Sequence, residues 1–355
     1  MNRYYNKITM KILLLSIIFI FSSPNLLFGE ASNYRKVAIM YSDKFLLHNT
    51  GKNHPERPER LSKVVNNLKN NKLLSPHLVW PLVREATEQD IKLVHTENYI
   101  DLVRKEVNLL QKNDISYLST GDTIISKESN KVARMAVGAG LSGADAIMEG
   151  KVSSAFVLNR PPGHHATASK GMGFCIYNNI AIVARYLQNK YNIERILIVD
   201  FDVHHGNGTQ DIFYNDDSIF YFDIHQHPLY PQSGRPNEIG IGKGKGFTLN
   251  VDLPKGSGNN ELINAFKNKL KPAMEKFQPE FVLVSAGFDS HQGDLLGQLN
   301  FTDVGYENIA IILSNIAKKY ASGRKLYMLE GGYVAENISK SAEKIIGILT
   351  KDMGD

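Results

Sequence analysis

Asp200, Asp202 and His204 occupy alternate positions in the string Val199-Asp-Phe-Asp-Val-His-His-Gly-Asn207. On extended backbone, residues two apart project to the same side, so two carboxylates and an imidazole share one face and Val199, Phe201 and Val203 take the other. Asp202 and His204 can therefore grip one metal ion. Asp200, one step deeper, can orient a neighbouring histidine instead. A carboxylate from Asp289, in Gly287-Phe288-Asp289, completes an Asp-His-Asp set that leaves positions open for water and substrate. Two carboxylates offset a divalent charge, so such an ion acidifies water less than one held by three histidines, and the chemistry needs a separate base. His164 and His165 can supply it: Pro161-Pro162-Gly163 sets a bend before them, and imidazoles titrate where general acid–base catalysis operates. Tyr333 follows Gly331-Gly332, which let its backbone approach a site closely. Any one of these residues alone reads more readily as a helix-capping aspartate, a satisfied core histidine or a packed tyrosine. Together they do not, because six of the eleven histidines fall between 164 and 227 and both His-His pairs follow buried-strand patterns. His225 and His227 read as structural or as supporting a ligand from behind.

The elements that must position these groups are legible as short β-branched and aromatic runs: Val37–Tyr41, Ser154–Leu158, Ile196–Phe201, Ile219–Ile224, Phe281–Ala286 and Leu326–Leu329. Helix-compatible stretches lie between them, at 130–149, 259–277 and 303–320. The alternation predicts a single-domain α/β fold, an open, mostly parallel sheet with helices on both faces. Four runs lead directly into the polar strings named above. In open α/β sheets ligands bind outside the carboxyl ends of the strands, so the candidate site lies on that rim.

Composition limits the alternatives. At 355 residues, 43% hydrophobic and 22% charged, the chain is neither collagen-like, disordered nor a multi-span membrane protein. It is long enough to bury a core without staples. Its single cysteine, Cys175, excludes internal disulfides and a cysteine-built metal knuckle. The net charge of +5 is spread along the chain and argues for no direct nucleic-acid partner. Residues 1–30 are a separate object: Arg3, Lys7 and Lys11 precede an apolar run from Ile12 to Phe21, broken by Ser22-Ser23-Pro24. That is the layout of a signal peptide, or alternatively of an N-terminal anchor, and it falls short of the ~20 apolar residues of a membrane span. The expectation is a catalytic domain over 31–355 with no span in the mature form. It is exported if the leader is cleaved, and otherwise membrane-anchored or cytoplasmic.

The strings His54 to Leu61, Arg160 to Ala166, Gly171 to Cys175 with Asn178-Asn179, Val199 to Gln210, Gly287 to Asp289 and Glu330 to Tyr333 resemble the histone deacetylase superfamily, with its acetylpolyamine amidohydrolase and bacterial deacetylase-like branches. The resemblance runs from about Lys36 to the C-terminus. It implies an arginase/deacetylase-like fold with Asp202, His204 and Asp289 as zinc ligands, a site that Fe²⁺ or Co²⁺ can also fill. By the same resemblance His164 and His165 are the general acid–base pair, Asp200 orients His164, and Asn207 partners His165, as in the class II-like branches. Tyr333 resembles the hydroxyl that stabilises the oxyanion, Phe174 and Tyr230 the walls of an acyl-lysine tunnel, Gly173 part of its floor, and Arg60 an arginine lining an internal acetate channel. The implied reaction is hydrolysis of an acetylated lysine peptide or protein, or of an acetylated polyamine, for which Asp122 is a candidate acid at the tunnel mouth. Three features depart from the pattern: Asp223 stands where many relatives carry Ser near a structural K⁺ site, Gln232-Ser233 replaces the commoner Gly-Thr, and the N-terminal leader is unusual for the family.

Two competing readings remain on the sequence. An arginase-like binuclear manganese hydrolase needs another carboxylate two residues beyond His204, and that position is Gly206. A catalytically inactive acyl-lysine-binding module has nothing in its favour, because every expected ligand, both histidines and Tyr333 are present.

Overall fold

β-Branched and aromatic residues fill the inner strands of the central sheet, and those strands are buried along their whole length, as a parallel sheet covered on both faces requires. The structure is a computed structural model and describes residues 35–351; the expected leader over 1–30 lies outside them. The strands are β1 (Val37–Met40), β2 (Leu78–Val79), β3 (Ile115–Tyr117), β4 (Ile124–Ser126), β5 (Ser154–Val157), β6 (Ile196–Asp200), β7 (Ile219–Gln226), β8 (Thr248–Leu253), β9 (Phe281–Ala286) and β10 (Lys325–Leu329). Eight form one sheet in the order β2-β1-β5-β10-β9-β6-β7-β8, with every pairing parallel. β3 and β4 make a separate antiparallel ribbon. All six expected runs are strands of the sheet. The two edge strands β2 and β8 escaped the reading, one because it has only two residues and the other because its polar positions Asn250 and Asp252 interrupt the apolar run.

Helices follow from equally local causes. Glu59–Asn70 buries Leu61, Val64, Val65 and Leu68, the i, i+3, i+4, i+7 stripe of an amphipathic helix. It packs on Ala335–Thr350, which packs in turn on Asp303–Tyr320, while Ser129–Met148 and Asn179–Tyr191 form a second group. The expected helix over 259–277 is interrupted: a π turn at Phe266–Leu270 separates Asn259–Ala265 from Lys271–Phe277. Pro272 explains the break, since it lacks an N–H and its ring crowds the carbonyl four residues back. Among the described residues, no helix is long and apolar enough to cross a membrane.

A buried ionic cluster ties the layers together beneath the site. Glu56 receives hydrogen bonds from Arg160 and Arg60, and all three side chains are buried. Arg60 also donates to the carbonyls of Glu330 and Gly332, so the expected channel arginine is fully engaged in holding the loop that carries Tyr333. Burial pushes the Glu56 carboxyl up, but the Arg160 and Arg60 charges overcome it and hold the group down at about 2. Removing one partner of a buried pair strands the others, so Glu56→Ala is expected to cost about 3–5 kcal/mol in urea unfolding. An unchanged midpoint would reject that role. Because the folded value lies below the ordinary one, this contribution is complete above the usual carboxylate range and is lost as pH falls toward about 2.

Candidate active site and metal centre

Strand β6 ends at Asp200, and residues 202–204 run on as bends rather than as the extended backbone the sequence suggested. Side chains hold the alternation there: the Asp202 N–H donates to Asp200 Oδ1 at 3.1 Å and the His204 N–H to Asp202 Oδ1 at 2.9 Å. Asp202 and His204 therefore still face one way, and the end of β9 brings Asp289 to them. His204 Nδ1 stands 3.0 Å from Asp202 Oδ1 and 3.2 Å from Asp289 Oδ2, and the three ligand atoms lie within 4.8 Å of one another. This is the one such cluster found among the described residues.

The donor set fits a divalent ion. Backbone N–H groups of Val203 and Gly331 fix Asp289 Oδ1 and Asp202 Oδ2, while Asp289 Oδ2 is buried with no hydrogen-bond partner. An unpaired buried carboxylate oxygen is costly, and a cation between the three ligands removes that cost. Burial and the Asp202 charge push the Asp289 carboxyl up to about 7. Against the pull of burial, Asp202 and Asp289 raise His204 to about 9. Such crowding of negative charge is relieved by a positive ion. Gly331 is required beside them, because a Cβ there would come within 2.1 Å of Asp289 Oδ2.

The paired histidines sit alongside with ring centroids 4.0 Å apart. His164 Nδ1 is 3.0 Å from Asp200 Oδ2, and His165 Nδ1 is 2.8 Å from Asn207 Oδ1. Burial lowers both, but Asp200 and Asp202 override it at His164 and hold that imidazole well above its ordinary value. At His165 the neighbouring His164 and His204 act with burial, and the ring stays well below. The two rings are thus biased toward opposite protonation states.

Tyr333 is brought over the ligands by anchors on either side. Its N–H donates to Asp294 Oδ2 at 2.8 Å, and the preceding carbonyl accepts from Arg60. Burial, then the Asp289 and Asp202 charges, push its phenol well above 10, so it remains a donor. It lines a cavity of about 240 Å³ with both histidines, His204 and Gly173. Phe174 and Tyr230 form aromatic walls, and Asp122 and Leu296 also line the cavity. Phe174 stands edge-on to Tyr333 at 6.1 Å, and Tyr230 edge-on to His165 at 5.2 Å.

Every site residue expected from the sequence is thus gathered in one place, and further groups emerge. Glu330 was noticed only as part of a string, yet its Oε2 accepts the N–H groups of Gly163 and His164 and so sets the bend that presents both histidines. Asp294 carried no signal beyond being an acid in a loop. Ser233, in the departing Gln232-Ser233 pair, lies 2.8 Å from His205 Nδ1 behind the wall. His227 does not line the cavity. A second metal has no room at 206, where any Cβ would come within 2.4 Å of Asp200 Oδ2.

A buried three-ligand metal site at the carboxyl edge of a parallel sheet, with paired histidines and a phenol beside it, defines a metal-dependent hydrolase. The histone deacetylase domain matches residues 54–349, and the chain belongs to the histone deacetylase family. It is 36% identical over 318 residues to chloroplastic histone deacetylase 10 of Oryza sativa, covering 86% of this chain and 72% of that one. It is 38% identical to a probable deacetylase of Archaeoglobus fulgidus, covering 84% and 81%, and 39% identical to the polyamine deacetylase HDAC10 of Homo sapiens, covering 84% and 45%. The crystal structure of the HDA15 HD domain superposes with a TM-score of 0.82 at 36% identity over 88% of both chains. The molecule is a metal-dependent deacetylase of the α/β fold that the sequence predicted.

Proposed function

We propose that this chain is a zinc-dependent amidohydrolase that removes acetyl groups from acetyl-lysine, with Fe²⁺ or Co²⁺ able to replace zinc. The observation that carries the reading is the convergence of oppositely biased histidines and an unpaired phenol on one three-ligand site inside a narrow aromatic cavity. When bound, the divalent ion supplies Lewis acidity toward the acetyl carbonyl. Asn207 accepts from His165 Nδ1–H, which leaves Nε2 free to take a proton from the attacking water. Asp200 holds His164 as the protonated member beside it. The histidine pair returns a proton to the leaving amine, so acetate and a lysine ammonium result. The Tyr333 hydroxyl donates to the oxygen on which charge develops. Phe174 and Tyr230 pack along the apolar lysine stem and keep bulk water away.

The mouth supports a lysine peptide over a polyamine. Asp122 is the one carboxylate among the residues that line it, Oδ1 of that group already accepts the Gly173 N–H, and Leu296, which also lines it, is apolar. A multiply charged amine needs more anionic partners than this. The polyamine reading rests on the remaining Asp122 oxygen and on the name of one relative. A panel of acetyl-lysine peptides, acetylputrescine and acetylspermidine with zinc-reconstituted enzyme separates the two. The peptides are expected to give the higher kcat/KM, and the reverse order would reject the lysine reading.

The Asn207 partner makes a pH prediction. Asn207→Asp places a negative charge against His165, favours its charged form and so raises its pKa. The neutral ring is the active base, so activity survives only above the new value. The acid limb of the kcat/KM profile is expected to move to higher pH, and an unmoved limb would reject His165 as the base.

A further inference from the structure

Behind the paired histidines, a second buried His-Asp pair lies on β7. In the β6–β7 register Asp200 stands beside Asp223, which puts two buried carboxylates next to each other. The Tyr221 hydroxyl lies between them, 2.6 Å from Asp223 Oδ2 and 3.2 Å from Asp200 Oδ2. His225 Nδ1 is 2.6 Å from Asp223 Oδ1, just as His164 is bonded to Asp200. Tyr221, Asp223 and His225 alternate along one strand and so share a face. The hydroxyl's single proton goes to the nearer Asp223 and is shared with Asp200 and with the Gly206 carbonyl at 3.1 Å, so the groups form one contiguous cluster: His164, Asp200, Tyr221, Asp223, His225.

The family resemblance implies a potassium ion near position 223, and these residues do not fit one. A monovalent cation in such a slot needs oxygen lone pairs turned toward it. Asp223 has committed three of its four acceptor sites to donors, Oδ1 to the His225 ring and Oδ2 to the Tyr221 hydroxyl and the Gly206 N–H at 2.9 Å, which leaves one lone pair where a cation needs several. Gly206 closes the space from the other side, since a Cβ there would lie within 2.3 Å of the Tyr221 hydroxyl. The charge-assisted hydrogen bonds on Asp223 are short and directional and hold the Tyr221 hydroxyl against Asp200 Oδ2, which also meets the His164 ring at 3.0 Å, so Asp200 is fixed without an ion. We propose that Tyr221, Asp223 and His225 are positioning residues for His164, holding Asp200 by hydrogen bonds where a cation would otherwise sit, so that turnover needs no potassium.

The test uses the zinc-loaded full chain in potassium, sodium or tetramethylammonium chloride at equal ionic strength, with an acetyl-lysine peptide as substrate. For the wild type, kcat and Tm are expected to be the same in all three salts, because an ion that bound the folded state would raise Tm. Tyr221→Phe and Asp223→Ser are expected to lose about 10–100-fold in kcat, as removal of a group supporting a site residue does, with KM and zinc content unchanged. Rates are normalised per hydroxamate-binding site, so partial unfolding does not register as lost turnover. Potassium raising the wild-type kcat or Tm would overturn the proposal, as would either variant keeping the wild-type kcat per site. If Asp223→Ser fails to fold, the wild-type salt series and Tyr221→Phe still decide.

Discussion

Asp289→Ala is expected to abolish turnover and to strip the chain of its divalent ion. Asp289 Oδ2 is the buried oxygen left without a hydrogen-bond partner, and its other oxygen holds the Val203 N–H, so the side chain serves both the ion and the loop that carries Asp202. Removing it halves the anionic charge available to a divalent ion and leaves one carboxylate and one imidazole, fewer ligands than a catalytic zinc site uses. Asp202→Ala is expected to do the same, and further frees the Gly331 N–H. Elemental analysis checks both: one ion per wild-type chain, none in the variants, and inhibition of the wild type by a chelating hydroxamate. Two ions per chain would reject the mononuclear site, and a variant that turns over would reject the ligand set.

Tyr333→Phe is expected to fold normally, to bind substrate with little change in KM, and to lose ~10²–10³ in kcat, the usual consequence of removing an oxyanion donor. Folding should be spared because no hydrogen bond to the Tyr333 hydroxyl exists among the described residues; the backbone anchors come from Asp294 and Arg60. The deleted oxygen therefore acts only when a substrate carbonyl is present. His165→Ala is expected to be at least as damaging, since it removes the base, whereas His227→Ala should be mild. Steady-state kinetics on the metal-loaded variants read all three, and an unchanged kcat for Tyr333→Phe would remove the phenol from the reaction.

The ligands were legible because they sit where a strand pattern stops. Several buried apolar runs each followed within a few residues by Asp, His or Tyr are not explained by caps or packed core residues taken singly, and Ile196–Asp200, Phe281–Ala286 and Lys325–Leu329 are all of that kind. Asn207 came from family resemblance, and so did the oxyanion role of Tyr333, which its place after a strand and the Gly331-Gly332 pair had marked only as a candidate. Glu330, Asp294 and the pairing of Glu56 with Arg160 escaped because their partners are distant in sequence: Glu56 lies 104 residues from Arg160, and Glu330 167 from Gly163. Nothing in a string of residues marks a carboxylate whose work is to accept two backbone N–H groups from another loop.

By itself the sequence determined the fold class, the rim on which the site lies and the candidate ligands and histidines at the strand ends, because side-chain periodicity and the abrupt change from apolar to polar are properties of neighbouring residues. Asn207, Gly173, Phe174 and Tyr230 came only from the family resemblance. Tertiary structure alone decided the protonation bias of His164 against His165 and the pairing of Asp200 with Asp223 through Tyr221. Both depend on which charges and donors stand within about 3 Å of a buried group, and on the register in which β6 pairs with β7.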